Sequence, residues 1–176
     1  NKVRTLFDYG SQVTFIRDRK AQEMKLQGTP ISFILVCTDG TETKRTGFKY
    51  KLKLMDRSHY GHEIEAIGID EISNKYAGVK LIRRIGNMNG KLLGSVDLDR
   101  DPGHVDLLIG TDLSNLHPKP ECNYDNLVIM SSIFGTGYTM MGHNDKLVRV
   151  TDNNSQFRVN VDRKSTRLNS SHSSVS

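Results

Sequence analysis

Between Phe48 and Leu54 the chain alternates apolar and basic residues without a break, Phe-Lys-Tyr-Lys-Leu-Lys-Leu. A period of two dictates an extended strand with one face buried and the other wet. The turn-forming stretch from Asp56 to Gly61 and the apolar residues 64–69 supply its antiparallel partner. Short apolar runs closed by turn residues recur elsewhere. Residues 3–7 end at Asp8-Tyr9-Gly10-Ser11, residues 31–37 at Thr38-Asp39-Gly40-Thr41, and residues 105–109 at Gly110-Thr111-Asp112. Residues 127–130 and 138–141 add later strands, with Phe134-Gly135-Thr136-Gly137 between them. Helical spacing is confined to two places. Ala21, Met24 and Leu26 share one face of a short helix over residues 17–26, stopped by Gly28 and Pro30, and residues 72–85 predict a second helix. The fold class expected is mainly β, a barrel or sandwich with one or two short helices.

Composition narrows the partners. No apolar run approaches the roughly 18 residues that cross a bilayer, and no signal-peptide pattern opens the chain, so no membrane is expected and the location reads as cytoplasmic. The net charge of +5 is mild. Part of it sits in residues 162–172, Asp-Arg-Lys-Ser-Thr-Arg-Leu-Asn-Ser-Ser-His, which resemble the translation of a sequencing-adapter oligonucleotide. That Ser-rich tail is expected to be disordered and foreign to the fold. Nucleic acid is not an expected partner: Lys80 with Arg83-Arg84 reads as a solvated face, and Lys49-Tyr50-Lys51 as a strand with a wetted side. Cys37 and Cys122 are too few and too far apart for a disulfide framework or a zinc site. His59, His62 and Glu63 match no recognised metal spacing, so neither metal nor cofactor is expected.

Asp-x-Gly alone is a weak signal, and Asp101-Pro102-Gly103 reads as an ordinary polar turn. Asp8 stands in a richer setting. It closes an apolar strand, is followed by Gly10-Ser11 and Phe15-Ile16, and is matched about a hundred residues later by Leu107-Leu108-Ile109-Gly110 with Asp112 beyond. Together these pieces resemble the retropepsin-like aspartic proteases, and most closely the aspartic peptidase domain of BEL/Pao-type retrotransposon polyproteins. The residues that carry the resemblance are Leu6-Phe7-Asp8-Tyr9-Gly10-Ser11 with Phe15-Ile16, then Val105-Asp106-Leu107-Leu108-Ile109-Gly110-Thr111-Asp112, then Ser132-Ile133-Phe134-Gly135-Thr136-Gly137-Tyr138 and Gly142. The second of these motifs is the more specific.

The resemblance implies a retropepsin-like closed barrel over residues 1–145, an N-terminally truncated fragment working as a C2 homodimer. Residues 146–161 would be a linker or the start of a next segment, and residues 162–176 the foreign tail. It further implies an endopeptidase that matures its own polyprotein, a polypeptide substrate, and an intracellular setting such as a virus-like particle. Hydrolysis by this route needs two carboxylates about 3 Å apart that share one proton, because like charges so close cannot both ionise. Asp8 would be one, and its symmetry mate the other. Gly10 would let the backbone turn tightly, Ser11 would bond near Asp8, and Gly110 would permit close packing behind the catalytic loop. Thr38, Asp39, Gly40 and Thr41 are the expected flap tip. In one respect the chain departs from the pattern: family members carry Ser or Thr after the aspartate, and this chain has Tyr9. The small hydroxyl is implied to brace the opposing loop across the dimer, a bond worth about 0.5–1.5 kcal/mol that a phenol is too long to make. A catalytically impaired domain, kept as a dimerisation or peptide-binding module or as a relic, is therefore the alternative reading.

Overall fold

The computed structural model describes residues 2–37, 40–73, 78–81, 101–124, 126–142, 147–150 and 173–175. The chain is mainly β. Strand β1 (Thr5–Phe7) is followed by β2 (Phe15–Arg17), helix α1 (Asp18–Glu23), and a meander of β3 (Gly28–Cys37), β4 (Glu42–Met55) and β5 (Gly61–Ile69). Then come β6 (Gly78–Leu81), β7 (Leu107–Ile109), a 3-10 helix (Thr111–Leu116), β8 (Lys119–Tyr124), β9 (Leu127–Ser131), β10 (Tyr138–Gly142), β11 (Leu147–Val150) and β12 (Ser173–Val175). The main sheet has seven strands in the order β1-β7-β2-β5-β4-β3-β12. A three-stranded sheet, β10-β9-β8, and the pair β11-β6 complete the described structure.

The alternation on β4 works as its period requires. Tyr50, Leu52 and Leu54 are buried, whereas Lys51, Lys53 and Met55 face solvent. Ile64 and Ala66 of β5 lie on the same buried side, and with Ile16, Ala21, Leu107, Ile109 and Leu116 they form one core cluster. Phe15, Phe33, Ile67, Ile72, Val105 and Leu108 form a second. Neighbours such as Phe15 and Ile16, or Leu108 and Ile109, therefore go to different clusters, as successive side chains of a strand must. This explains why β7 is apolar without interruption: its three residues are all buried. At about 1.5–3 kcal/mol for each large side chain removed from water, burial rather than length holds so short a strand in place.

Three expectations change. The main sheet is open, with β1 and β12 at its edges, so the closed barrel is absent among the described residues. Closure would need hydrogen bonding between the two edge strands, and each of these has only three residues. The first helix spans only Asp18–Glu23, because Arg17 is taken by β2 in its pairing with β5. Within the predicted second helix, Gly78–Leu81 is a strand paired with β11. Glycine is a poor helix interior residue and Val79 loses rotamer freedom there, so the local preference already leaned away from a helix. In the tail, the described residues Ser173–Val175 pair antiparallel with residues 35–37 of β3. Main-chain bonding at an open sheet edge asks little of side-chain type. No helix among the described residues is long and apolar enough to cross a membrane.

Candidate functional site

Strand β7 lies between β1, to which it is parallel, and β2, to which it is antiparallel. The chain leaving β1 must therefore pass over the end of β7 before it can return as β2. Residues 8–14 make that crossing, in a ψ-shaped arrangement, and the crossing point is Gly110. A Cβ on Gly110 would lie 2.6 Å from the carbonyl oxygen of Val13 and 2.9 Å from that of Ser11. Only glycine lets the two backbones approach so closely.

The crossing is tied down along its length. The Asp8 N–H donates to the Ile109 carbonyl at 3.0 Å, and the Thr111 N–H donates to the Ser11 carbonyl at 2.8 Å. At the far end, Asp112 accepts from the Thr14 N–H at 3.0 Å and from the Thr14 hydroxyl at 2.8 Å. The Thr14 oxygen accepts in turn from the Gly110 N–H at 3.1 Å. Asp8 sits at the start of this knot and is only 6% exposed. One of its carboxylate oxygens accepts the Gly10 N–H at 2.8 Å, which folds the turn around the acid. Ser11 is buried, and its hydroxyl donates to the Val13 carbonyl at 2.8 Å.

The side chain of Tyr9 goes to its own chain. It is 53% exposed, its hydroxyl donates to the Pro118 carbonyl at 3.1 Å, and its ring meets that of His117 edge-on with centroids 4.6 Å apart. Phe7 meets the same imidazole at 5.6 Å. His117 Nε2 lies 2.8 Å from the Gly110 carbonyl oxygen, which only accepts, so Nε2 carries the proton. Tyr9, His117, Pro118, Met130 and Met141 line an open groove of about 580 Å³ beside the crossing; Asp8 does not line it.

Of the other sequence candidates, Thr38 and Asp39 lie outside the described residues. Gly40 has a φ of +78° and open space around it, and residues 42–46 are all exposed, so this end of the β3–β4 hairpin stands clear of both cores. Asp101 is exposed. His62 bonds Asp56 at 3.0 Å, and among the described residues no group of three or more His, Cys, Asp or Glu is spaced to hold a metal. Lys49 and Lys51 both reach Glu65, at 2.8 and 3.7 Å, and the Lys49 bond holds that carboxyl below its usual range. Tyr50 between them is buried and donates to Asp18.

Three groups escaped the sequence reading. Thr14 and His117 stand in no motif, and Asp106 stands out only as part of one. Asp106 joins β1 to β2: it accepts from the Arg4 N–H at 3.0 Å and from the Arg17 guanidinium at 2.6 Å. The one available signal was the pair of aspartates bracketing Leu107-Leu108-Ile109-Gly110, whose partners stand some ninety to a hundred positions earlier. Compared with known proteins, the chain matches no family model, and neither a curated protein nor a solved structure is similar to it at a level that shows relationship.

Proposed function

We propose that this chain is an aspartic endopeptidase domain of the retropepsin-like kind, processing the polyprotein of a BEL/Pao-type retrotransposon, with Asp8 as its catalytic acid. The observation that carries this reading is a buried carboxylate at the mouth of a ψ-shaped crossing, held from below by Gly110. Such a knot fixes a carboxylate with little freedom, which general acid–base chemistry on a peptide bond demands. The other two carboxylates flanking β7 are committed to structure, Asp106 to Arg17 and Arg4, and Asp112 to Thr14. Among the described residues at the crossing this leaves Asp8 as the acid of one chain, and the second is Asp8 of another copy across a two-fold axis. In the pair, the ionised carboxylate takes a proton from water, and the protonated one polarises the scissile carbonyl. Together they titrate as a unit.

Cleavage of the flanking polyprotein, or of peptides drawn from it, tests the reading. The wild-type chain should cleave and Asp8→Asn should not; equal cleavage by both ends the proposal. A second reading, an impaired domain of the same fold, is favoured by the placement of Tyr9, whose hydroxyl is already spent on Pro118. Activity that appears only in Tyr9→Ser supports it. A nucleic-acid partner is not favoured, because the two lysines beside Tyr50, Lys49 and Lys51, both reach one carboxylate, Glu65. A steeply salt-dependent affinity for RNA would argue for such a partner.

A further inference from the structure

We infer that Tyr9 and His117 brace the Asp8 turn from within the chain, as positioning residues for its carboxylate. The inference rests on the reading of Asp8 as catalytic only for its consequence in cleavage.

Phe7 and Tyr9 are two positions apart, and both rings rest on His117, at 5.6 and 4.6 Å. Phe7 ends β1 and Tyr9 opens the turn, so the two rings grip the backbone on either side of Asp8. Seating both on one imidazole therefore restrains the backbone that carries Asp8. His117 is itself fixed. It is only 8% exposed, and its Nε2–H donates to the carbonyl of Gly110, the residue beneath the crossing. Its Nδ1 has no partner among the described residues. Leaving that nitrogen buried and unpaired is unfavourable, so an apolar side chain would fill the space better. What the imidazole adds is its one bond, which registers the Asp8 side of the crossing against the β7 side. The Tyr9 hydroxyl closes the loop at the next residue, Pro118. Two contacts from consecutive residues thus hold the exposed part of a turn that the Gly10 N–H closes onto Asp8.

Amide hydrogen exchange of the full chain reads this directly, because the Gly10 N–H reports the closed turn. Tyr9→Phe keeps the ring and removes the hydroxyl. Loss of one such bond should speed Gly10 exchange about two- to twelve-fold while the amides of β4 and β5 are unchanged. His117→Met should act the same way, and His117→Gln, which can donate to the same carbonyl, should restore protection. In cleavage, Tyr9→Phe and His117→Met should lower kcat and leave KM unchanged. Gly10 exchange that is unmoved in Tyr9→Phe, or that rises equally with the amides of β4 and β5, overturns the brace. Should His117→Met fail to fold, Tyr9→Phe decides, since position 9 is half-exposed. The predicted Gly10 pattern in a chain that never cleaves keeps the brace and removes the peptidase reading.

Discussion

At Gly110 the backbone is extended, with φ −86°, so the glycine is not there for its torsion. It is there because a methyl group would be pressed against the backbone oxygens of Val13 and Ser11, and backbone cannot swing aside. Gly110→Ala should cost about 1–3 kcal/mol, seen as a lower urea midpoint with an unchanged slope. Gly61 gives the contrast. Its added methyl meets only the flexible end of Lys53, and Gly61→Ala should stay within about 0.5 kcal/mol. Two carboxyls respond to acid in opposite senses. Burial, reinforced by Asp70 and partly offset by the bond from Tyr50, raises the pKa of Asp18. The bond from His62, with the amides of Tyr60 and Ser58, lowers that of Asp56. Folding therefore favours the proton on Asp18. Its ionised form weakens the fold at neutral pH, and the penalty is relieved as pH falls through the raised value toward the ordinary 3.8. Asp56 stabilises above its unfolded value, and that contribution is lost as pH falls through the lowered one. In thermal melts, Asp18→Asn should gain at neutral pH and lose the gain on acidification. Asp56→Asn should be weaker at neutral pH, with the deficit closing in acid.

Helix α1 shows how an element's end is made. The Leu26 N–H bonds the Ala21 carbonyl at 3.0 Å and the Lys25 N–H bonds that of Gln22 at 2.9 Å, the paired pattern that closes a helix through a left-handed residue. Lys25 is that residue, with φ 57°, where a side chain is disfavoured. Lys25→Gly should raise stability by about 1 kcal/mol, read as a higher Tm. The elements differ in how far they could be read from the sequence, for physical reasons. Strand β4 announces itself by period two, and β7 and β9 by apolar density, because their burial demands it. Strand β8 is Lys-Pro-Glu-Cys-Asn-Tyr, with a register shift between Pro120 and Cys122, and offers no period to recognise. Phe15 and Ile16 read equally as a lead into the helix, since a strand of three residues has no room to show alternation. The insertion of β7 between β1 and β2 lies beyond local pattern altogether. Its ties, such as Thr14 to Asp112, join residues 98 positions apart. The motifs around Asp8 and Gly110 hinted at their meeting; the destination of the Tyr9 ring could not be inferred, because nothing near position 9 marks His117 or Pro118 as its seat.

For the whole molecule, the decisive quantity is how many chains share one site. If two copies of Asp8 form the pair, each copy supplies the same loop, and a two-fold interface brings every residue toward its own counterpart. A chain carrying Asp8→Asn then poisons whichever wild-type chain it joins, since one carboxylate facing an amide cannot share a proton. With free exchange, cleavage per wild-type chain should fall to about half in an equal mixture, and to about a quarter with a threefold excess of the variant. Dilution of the wild type alone should lower the rate per chain as pairs come apart. A monomeric catalyst predicts neither effect, and cleavage per wild-type chain would stay constant in both experiments. That result would leave Asp8 to find its partner within one chain, where Asp106 is held by Arg17 and Asp112 by Thr14. Neither is placed to share a proton with Asp8 without giving up a bond that ties β7 to its neighbours. Constant activity would therefore count against the two-carboxylate chemistry itself as well as against the dimer.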